Sequence, residues 1–166
     1  MSTAKDKVFP WSAAHSQALQ LESLLLPYCD RILIVGSLRR RKPVVHDIDI
    51  VVIPTSGPFT QMELQAYLGA CWAWGKGKAK TVSGLWHDFP VDIYFATKET
   101  WWTLVVIRTG PRVSNIRLCQ RAHDLVAILH ADGSGLQLPD NSYYIPKSEE
   151  DLFAALKLPY VDPGNR

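Results

Sequence analysis

Cysteine is scarce in this 166-residue chain: Cys29, Cys71 and Cys119 stand far apart and are odd in number. They fit neither a disulfide framework nor a zinc-ligand spacing, so a cytoplasmic or otherwise intracellular, reducing setting is expected. No apolar run approaches the ~18 residues of a membrane span, and runs such as Ile32 to Val35 are strand-sized. The opening residues MSTAKDKVFPWS lack the apolar core of a secretory signal, so no export is expected. A large excess of one charge is missing too. Eighteen basic and 16 acidic residues leave +2, which by itself announces no nucleic-acid or membrane partner.

What is present is ordinary globular composition, 47% apolar and 20% charged. The length allows one domain or two small ones, and a chain of this size buries roughly 70% of its unfolded surface without a staple. Charge is clustered where it occurs. Arg39, Arg40, Arg41 and Lys42 form one basic run, Lys76, Lys78 and Lys80 a second, and Arg108, Arg112, Arg117 and Arg121 a third.

Ala14, Ala18, Leu21 and Leu25 make an apolar stripe that predicts a helix from Ser12 to Leu26, stopped by Pro27. A buried strand follows at Ile32 to Val35, with a brief helical turn opened by Gly36-Ser37 and ended before Pro43. Asp47 to Ile53 reads as an alternating strand, Gln61 to Trp74 as a helix, and Gly75 to Lys78 as a turn. Thr81 to Leu85 and Val91 to Phe95 read as antiparallel strands joined near His87-Asp88. Helices are expected at Glu99 to Ile107, Ser114 to Ala131 and Ser148 to Leu156, the last with Ser148 and Asp151 in capping-box spacing. Trp72, Trp74, Trp101 and Trp102 read as core packing. The class is α+β, with Thr109-Gly110-Pro111 breaking the chain near a lobe boundary, giving domains 1–104 and 105–166.

Asp47 and Asp49, two apart on a strand, project from one face, while Ile48 and Ile50 turn to the core. Two carboxylates so close repel unless a cation lies between them, and the hard ions Mg²⁺ or Mn²⁺ suit carboxylates plus substrate phosphates. Asp92, set between Val91 and Ile93, supplies the third carboxylate that a pair of ions would need. Gly36-Ser37 at a strand exit offers backbone N–H groups and a hydroxyl to phosphates, with Arg39 or Arg40 alongside.

Val35-Gly36-Ser37-Leu38-Arg39-Arg40 followed by Asp47-Ile48-Asp49-Ile50 resembles the nucleotidyltransferase palm signature of the X-family DNA polymerases. Val91-Asp92-Ile93, Thr109-Gly110-Pro111, Asn115 and the closing Ser148 to Phe153 and Leu158 to Val161 segments extend the resemblance over about residues 30–166. It implies a palm plus a small carboxy-terminal α+β lobe, in the minimal form known among viral members. By that resemblance Asp47 and Asp49 bridge two metal ions, and Asp92 binds the catalytic one. Gly36, Ser37 and Arg40 would hold the β- and γ-phosphates of a dNTP, Thr109-Gly110 would lie beside its sugar, and Asn115 would reach the nascent pair. A cis peptide is common at this turn in the family. The chain departs from the family at Ile107 and Arg108, where aromatics are usual, and at Cys119, where an arginine often stands.

The expected activity is DNA-directed DNA polymerisation, with short-gap filling in repair. The expected partners are primer-template or gapped DNA, held by Arg112, Arg117 and Arg121, and no membrane, for a chain expected to be a monomer. Gly-Ser and D-x-D alone also suit a nucleotidyltransferase with another acceptor, such as a tRNA end, a small molecule or a protein. A catalytically inactive nucleic-acid-binding module would keep the same fold.

Overall fold

The computed structural model describes residues 7–55, 66–68, 71–74 and 80–166. Helix α1 (Trp11–Leu25) buries Ala14, Ala18, Leu21 and Leu25, each at most 1% exposed, which is the stripe the periodicity marks. A 3-10 turn carrying Pro27 (Leu26–Tyr28) ends it and leads into strand β2 (Cys29–Ile34), taking β1 as the short strand Phe9–Pro10. The four-residue helix α2 (Gly36–Arg39) follows, then β3 (Val44–Val45), which pairs with β1, and β4 (Ile48–Pro54).

After β4 come β5 (Cys71–Trp74), β6 (Lys80–Trp86) and β7 (Phe89–Phe95). The turn between β6 and β7 is His87-Asp88, both at positive φ (45° and 71°), the left-handed pair that closes a two-residue hairpin. One five-stranded sheet results, in the order β2-β4-β7-β6-β5, with β4 and β7 parallel and the other neighbours antiparallel.

The helix expected to run to Trp74 is corrected: Cys71–Trp74 is strand, paired with β6 from Ser83 back to Lys80. An apolar run of four has no period of its own, and the open edge of β6 decides its state. Residues 66–68 are helical, while 61–65, 69–70 and the expected turn at 75–78 lie outside the described residues.

Helices α3 (Trp101–Thr109) and α4 (Arg112–Asp124) are separated by the Gly110-Pro111 break. The expected extension of α4 to residue 131 does not occur. Val126 takes a left-handed φ of 58°, and the chain turns back into β8 (Ile128–Leu129), which pairs with β9 (Leu136–Gln137) and through it with β10 (Tyr143–Tyr144). Pairing with β9 buries Leu129 against Leu136, a use for Ile128-Leu129 that continued helix would forgo. Helix α5 (Glu149–Ala155) starts as its sequence predicts, with the Ser148 side chain accepting a hydrogen bond from the Asp151 N–H.

Among the described residues, three apolar clusters organise these elements. Ile48, Ile50 and Val52 of β4, with Val82, Val91 and Ile93, pack on α1. The opposite face of the same strands, through Val51, Ile53, Tyr94 and Ala96, packs on Trp101, Leu104 and Val105 of α3. Val106 and Ile107, the next residues of that helix, join Leu118, Leu129, Leu136, Leu152 and Phe153 in a third cluster. Helix α3 therefore serves both groups of elements. Among the described residues no helix is long and apolar enough to cross a membrane.

Candidate active site

Asp49 lies on β4 directly opposite Asp92 on the parallel strand β7. Period-two alternation sends Ile48, Ile50, Val91 and Ile93 into the α1 core and leaves both carboxylates on the other face. Asp47 sits just before β4 begins, a correction to its expected place within the strand, yet it joins the same group. One carboxylate oxygen from each of Asp47, Asp49 and Asp92 lies within 4.8 Å of the others. This is a group that could hold a metal ion.

Electrostatics supports that reading. Among the described residues the ion pairs join Arg39 and Arg166 to Glu149, and none reaches the three aspartates. Burial pushes Asp49 up to about 7, with the charges of Asp47 and Asp92 adding to the rise; a hydrogen bond from Tyr94 and the field of Arg108 oppose it. Asp47 is raised as well, first by burial and then by Asp92, with His46 and Arg40 pulling the other way. Burial lowers Arg40, against the charges of Asp49 and Asp47. Crowded carboxylates held above their usual range relax when a divalent cation enters, so the donor set, all hard oxygen, fits a hard divalent cation.

Each of two carboxylates also has a neutral donor. The Tyr94 hydroxyl donates to Asp49 Oδ1 at 3.1 Å, and the Ser83 hydroxyl donates to Asp92 Oδ1. On the far side of Asp49 stands Gly36, at φ 63°. A Cβ at Gly36 would overlap Asp49 Oδ2 and stand 2.8 Å from its Cγ, so only glycine leaves room for the carboxylate. Beside it, Ser37 Oγ is buried with no hydrogen-bond partner. A buried hydroxyl left unsatisfied is costly unless a ligand completes it, and this one opens the α2 turn next to the aspartates.

The sequence matches no protein-family model and no curated protein. Solved structures do match. The ternary primer-template complex of Leishmania infantum polymerase beta superposes with a TM-score of 0.76 at 22% identity, over 98% of this chain and 78% of that one. The ternary gap complex of the same polymerase gives 0.76 at 21% identity, over 98% and 72%. The fold is that of polymerase beta.

Within this polymerase beta fold, the two arginines after Ser37 have different environments. Arg39 forks onto Glu149, with Nη1 at 2.9 Å from Oε1 and Nη2 at 2.7 Å from Oε2, and Nη1 also donates to Thr109 Oγ1 at 2.8 Å. Arg40 donates from Nη1 to the Thr109 carbonyl at 2.5 Å, and its buried Nε has no partner. Arg39 is therefore tied to the carboxy-terminal elements, and Arg40 is the one facing the aspartates. The Thr109-Gly110-Pro111 turn carries no cis peptide; Gly110 and Pro111 are both extended, which carries the chain straight from α3 into α4.

Asn115 donates from Nδ2 to the Ile107 carbonyl at 2.8 Å, while its buried Oδ1 is unpartnered. It lines a cleft of about 700 Å³ together with Gly110, Arg108, Arg112 and Ile116, and Tyr94 closes the end toward Asp49. Arg112 and Arg117 are exposed on α4, whereas Arg121 donates its Nε to the Leu156 carbonyl at 3.1 Å.

Several residues of the site escape motif reading. Ser83 was legible in principle, because a two-residue turn at His87-Asp88 fixes the hairpin register and puts Ser83 opposite Asp92. Tyr94, two residues past Asp92, shares its face by the same alternation. Glu149, only 4% exposed and bound by Arg39 and by the buried side chain of Arg166, had no signal beyond its place in the first turn of a capped helix.

Proposed function

We propose that this chain is an X-family-type DNA polymerase that adds a dNMP to a primer 3′-hydroxyl. Residues 1–104 act as the palm and 105–166 as a nucleotide- and DNA-binding lobe. The observation that carries the reading is the convergence of Asp47, Asp49 and Asp92 to within 4.8 Å, with no salt bridge to any of them among the described residues. The polymerase beta fold and the primer-template and gapped-DNA complexes of its structural neighbours support the choice of acceptor.

In this reading Asp47, Asp49 and Asp92 hold two divalent ions. Those ions would lower the pKa of the primer hydroxyl and neutralise the triphosphate charge. The unpartnered Ser37 Oγ and Arg40 Nε supply the hydrogen-bond donors for the β- and γ-phosphates, and Gly36 keeps the turn close. Thr109, Gly110 and Asn115 position the sugar and base in the adjoining cleft. The primer oxygen attacks the α-phosphorus in line, the bond to the bridging oxygen breaks, and pyrophosphate leaves. In this reading Asp92 accepts the hydroxyl proton. Catalysis is mostly positioning and charge stabilisation, as in phosphoryl transfer generally.

Arg112 and Arg117, with Arg121 behind them, give a short basic grip suited to filling short gaps in repair. The test is primer extension on one-nucleotide-gapped DNA with each dNTP and Mg²⁺ or Mn²⁺. Template-directed addition by the wild-type chain, lost in Asp49→Ala while the circular dichroism spectrum is kept, supports the assignment. Addition that ignores the template, or survives Asp49→Ala, overturns it.

A further inference from the structure

We propose that Ser83 is a positioning residue for Asp92, holding one carboxylate oxygen so that the other is presented to the metal centre. The inference rests on reading the three aspartates as metal ligands. Its own basis is a row across the sheet: Asp49 on β4, Asp92 on β7 and Ser83 on β6 stand directly opposite one another in successive strands. All three therefore share the face away from α1.

Residues opposed in this way have Cβ atoms roughly 4.5–5.5 Å apart, a gap that a single hydroxyl spans to reach a neighbouring carboxylate. The Ser83 hydroxyl does so, donating to Asp92 Oδ1. An alanine would leave that oxygen without this donor. The position of Ser83 is itself set from the other face. The next residue, Gly84, lies so close to the backbone of Leu68 that a Cβ would stand 2.6 Å from its carbonyl oxygen.

Chemistry favours a hydroxyl here. A lysine or arginine would orient Asp92 equally well, but it would cancel charge that the metal ions need and compete with them for the carboxylate. A neutral donor fixes the rotamer and leaves the carboxylate charge in place. Partners of this kind, one step behind the ligating atoms, commonly change metal affinity or activity by about 10–100-fold when removed.

The experiment compares Ser83→Ala and Ser83→Thr with the wild-type chain, using Asp92→Asn as the reference for loss of a ligand. Mn²⁺ binding to the DNA-free chain is followed by the loss of its free-ion paramagnetic resonance signal. Thermal midpoints in EDTA report folding, and gap-filling kinetics separate kcat from KM. Ser83→Ala should bind Mn²⁺ about 10-fold or more weakly, with kcat reduced and KM for the nucleotide unchanged. Ser83→Thr, which restores the hydroxyl, should recover most of both. Wild-type Mn²⁺ affinity in Ser83→Ala overturns the proposal, and so does a Thr variant as weak as the Ala variant at an unchanged midpoint. If Asp92→Asn itself binds Mn²⁺ like the wild type, the metal reading of the aspartates fails and Ser83 loses its role with it.

Discussion

Gly36 offers the sharpest perturbation, because it is judged by geometry rather than by charge. Replacing it with alanine does two things at once. The backbone sits at φ 63°, where an L residue with a Cβ costs roughly 1–2 kcal/mol. The new methyl also overlaps Asp49 Oδ2, so the carboxylate must swing away from Gly36 and from the Tyr94 hydroxyl that holds Oδ1. At pH 8, where Asp49 is ionised, losing a hydrogen bond to a charged group adds about 1.5–3 kcal/mol. The total is ~3–5 kcal/mol, and at about 2–4 °C per kcal/mol for a chain this long it lowers the melting temperature by about 10 °C. Mn²⁺ affinity should fall with it, by about 10-fold or more, since the displaced group is a ligand. Ser37→Ala is the control: it removes a buried hydroxyl with no partner in the fold, and should melt at or above the wild type. Circular dichroism melts and Mn²⁺ titrations on the three chains decide the matter. A Gly36→Ala protein that melts and binds Mn²⁺ like the wild type would refute the packing of Asp49 against Gly36.

Two further outcomes follow from the same site and its support. Asp49, pushed up to about 7 from the usual 3.8, keeps a proton in the folded state that the unfolded chain has released, so between those values the metal-free fold loses stability as pH rises. Asp49→Asn should therefore melt above the wild type at pH 8 in EDTA, by a few kcal/mol at most at about 1.4 kcal/mol per pKa unit. The gap should close toward pH 4.5, and a gap that widens on acidification contradicts the assignment. Saturating Mn²⁺ should reverse the order of the two proteins at pH 8, since only the carboxylate binds the ion. Glu149→Ala leaves the buried side chain of Arg166 and the part-buried Arg39 without their shared acceptor, and should destabilise by ~3–5 kcal/mol. An unchanged chemical-denaturation midpoint would show that this ion triad contributes nothing.

Local pattern settled much of this protein before any tertiary contact was known. The α1 stripe, the Gly36-Ser37 turn, the β6–β7 hairpin and the capped α5 all obey rules that act over a few residues. The pairing of Asp47 with Asp49 was legible from their two-residue spacing, although Asp47 sits just before β4 rather than on it. Asp92 was legible only as an odd polar residue in an apolar strand; that it lies opposite Asp49 depends on β7 pairing in parallel with β4, across 42 intervening positions. Where a segment is short or apolar throughout, its state is decided by what it meets. Cys71–Trp74 became strand because β6 had an open edge, and α4 stopped at Asp124 because Leu129 found a partner in Leu136. The donors behind the aspartates and the Arg39–Glu149–Arg166 cluster are likewise products of the assembled fold. Their energies depend on burial and on angles between side chains distant in sequence, and neither quantity exists until the sheet and helices have packed.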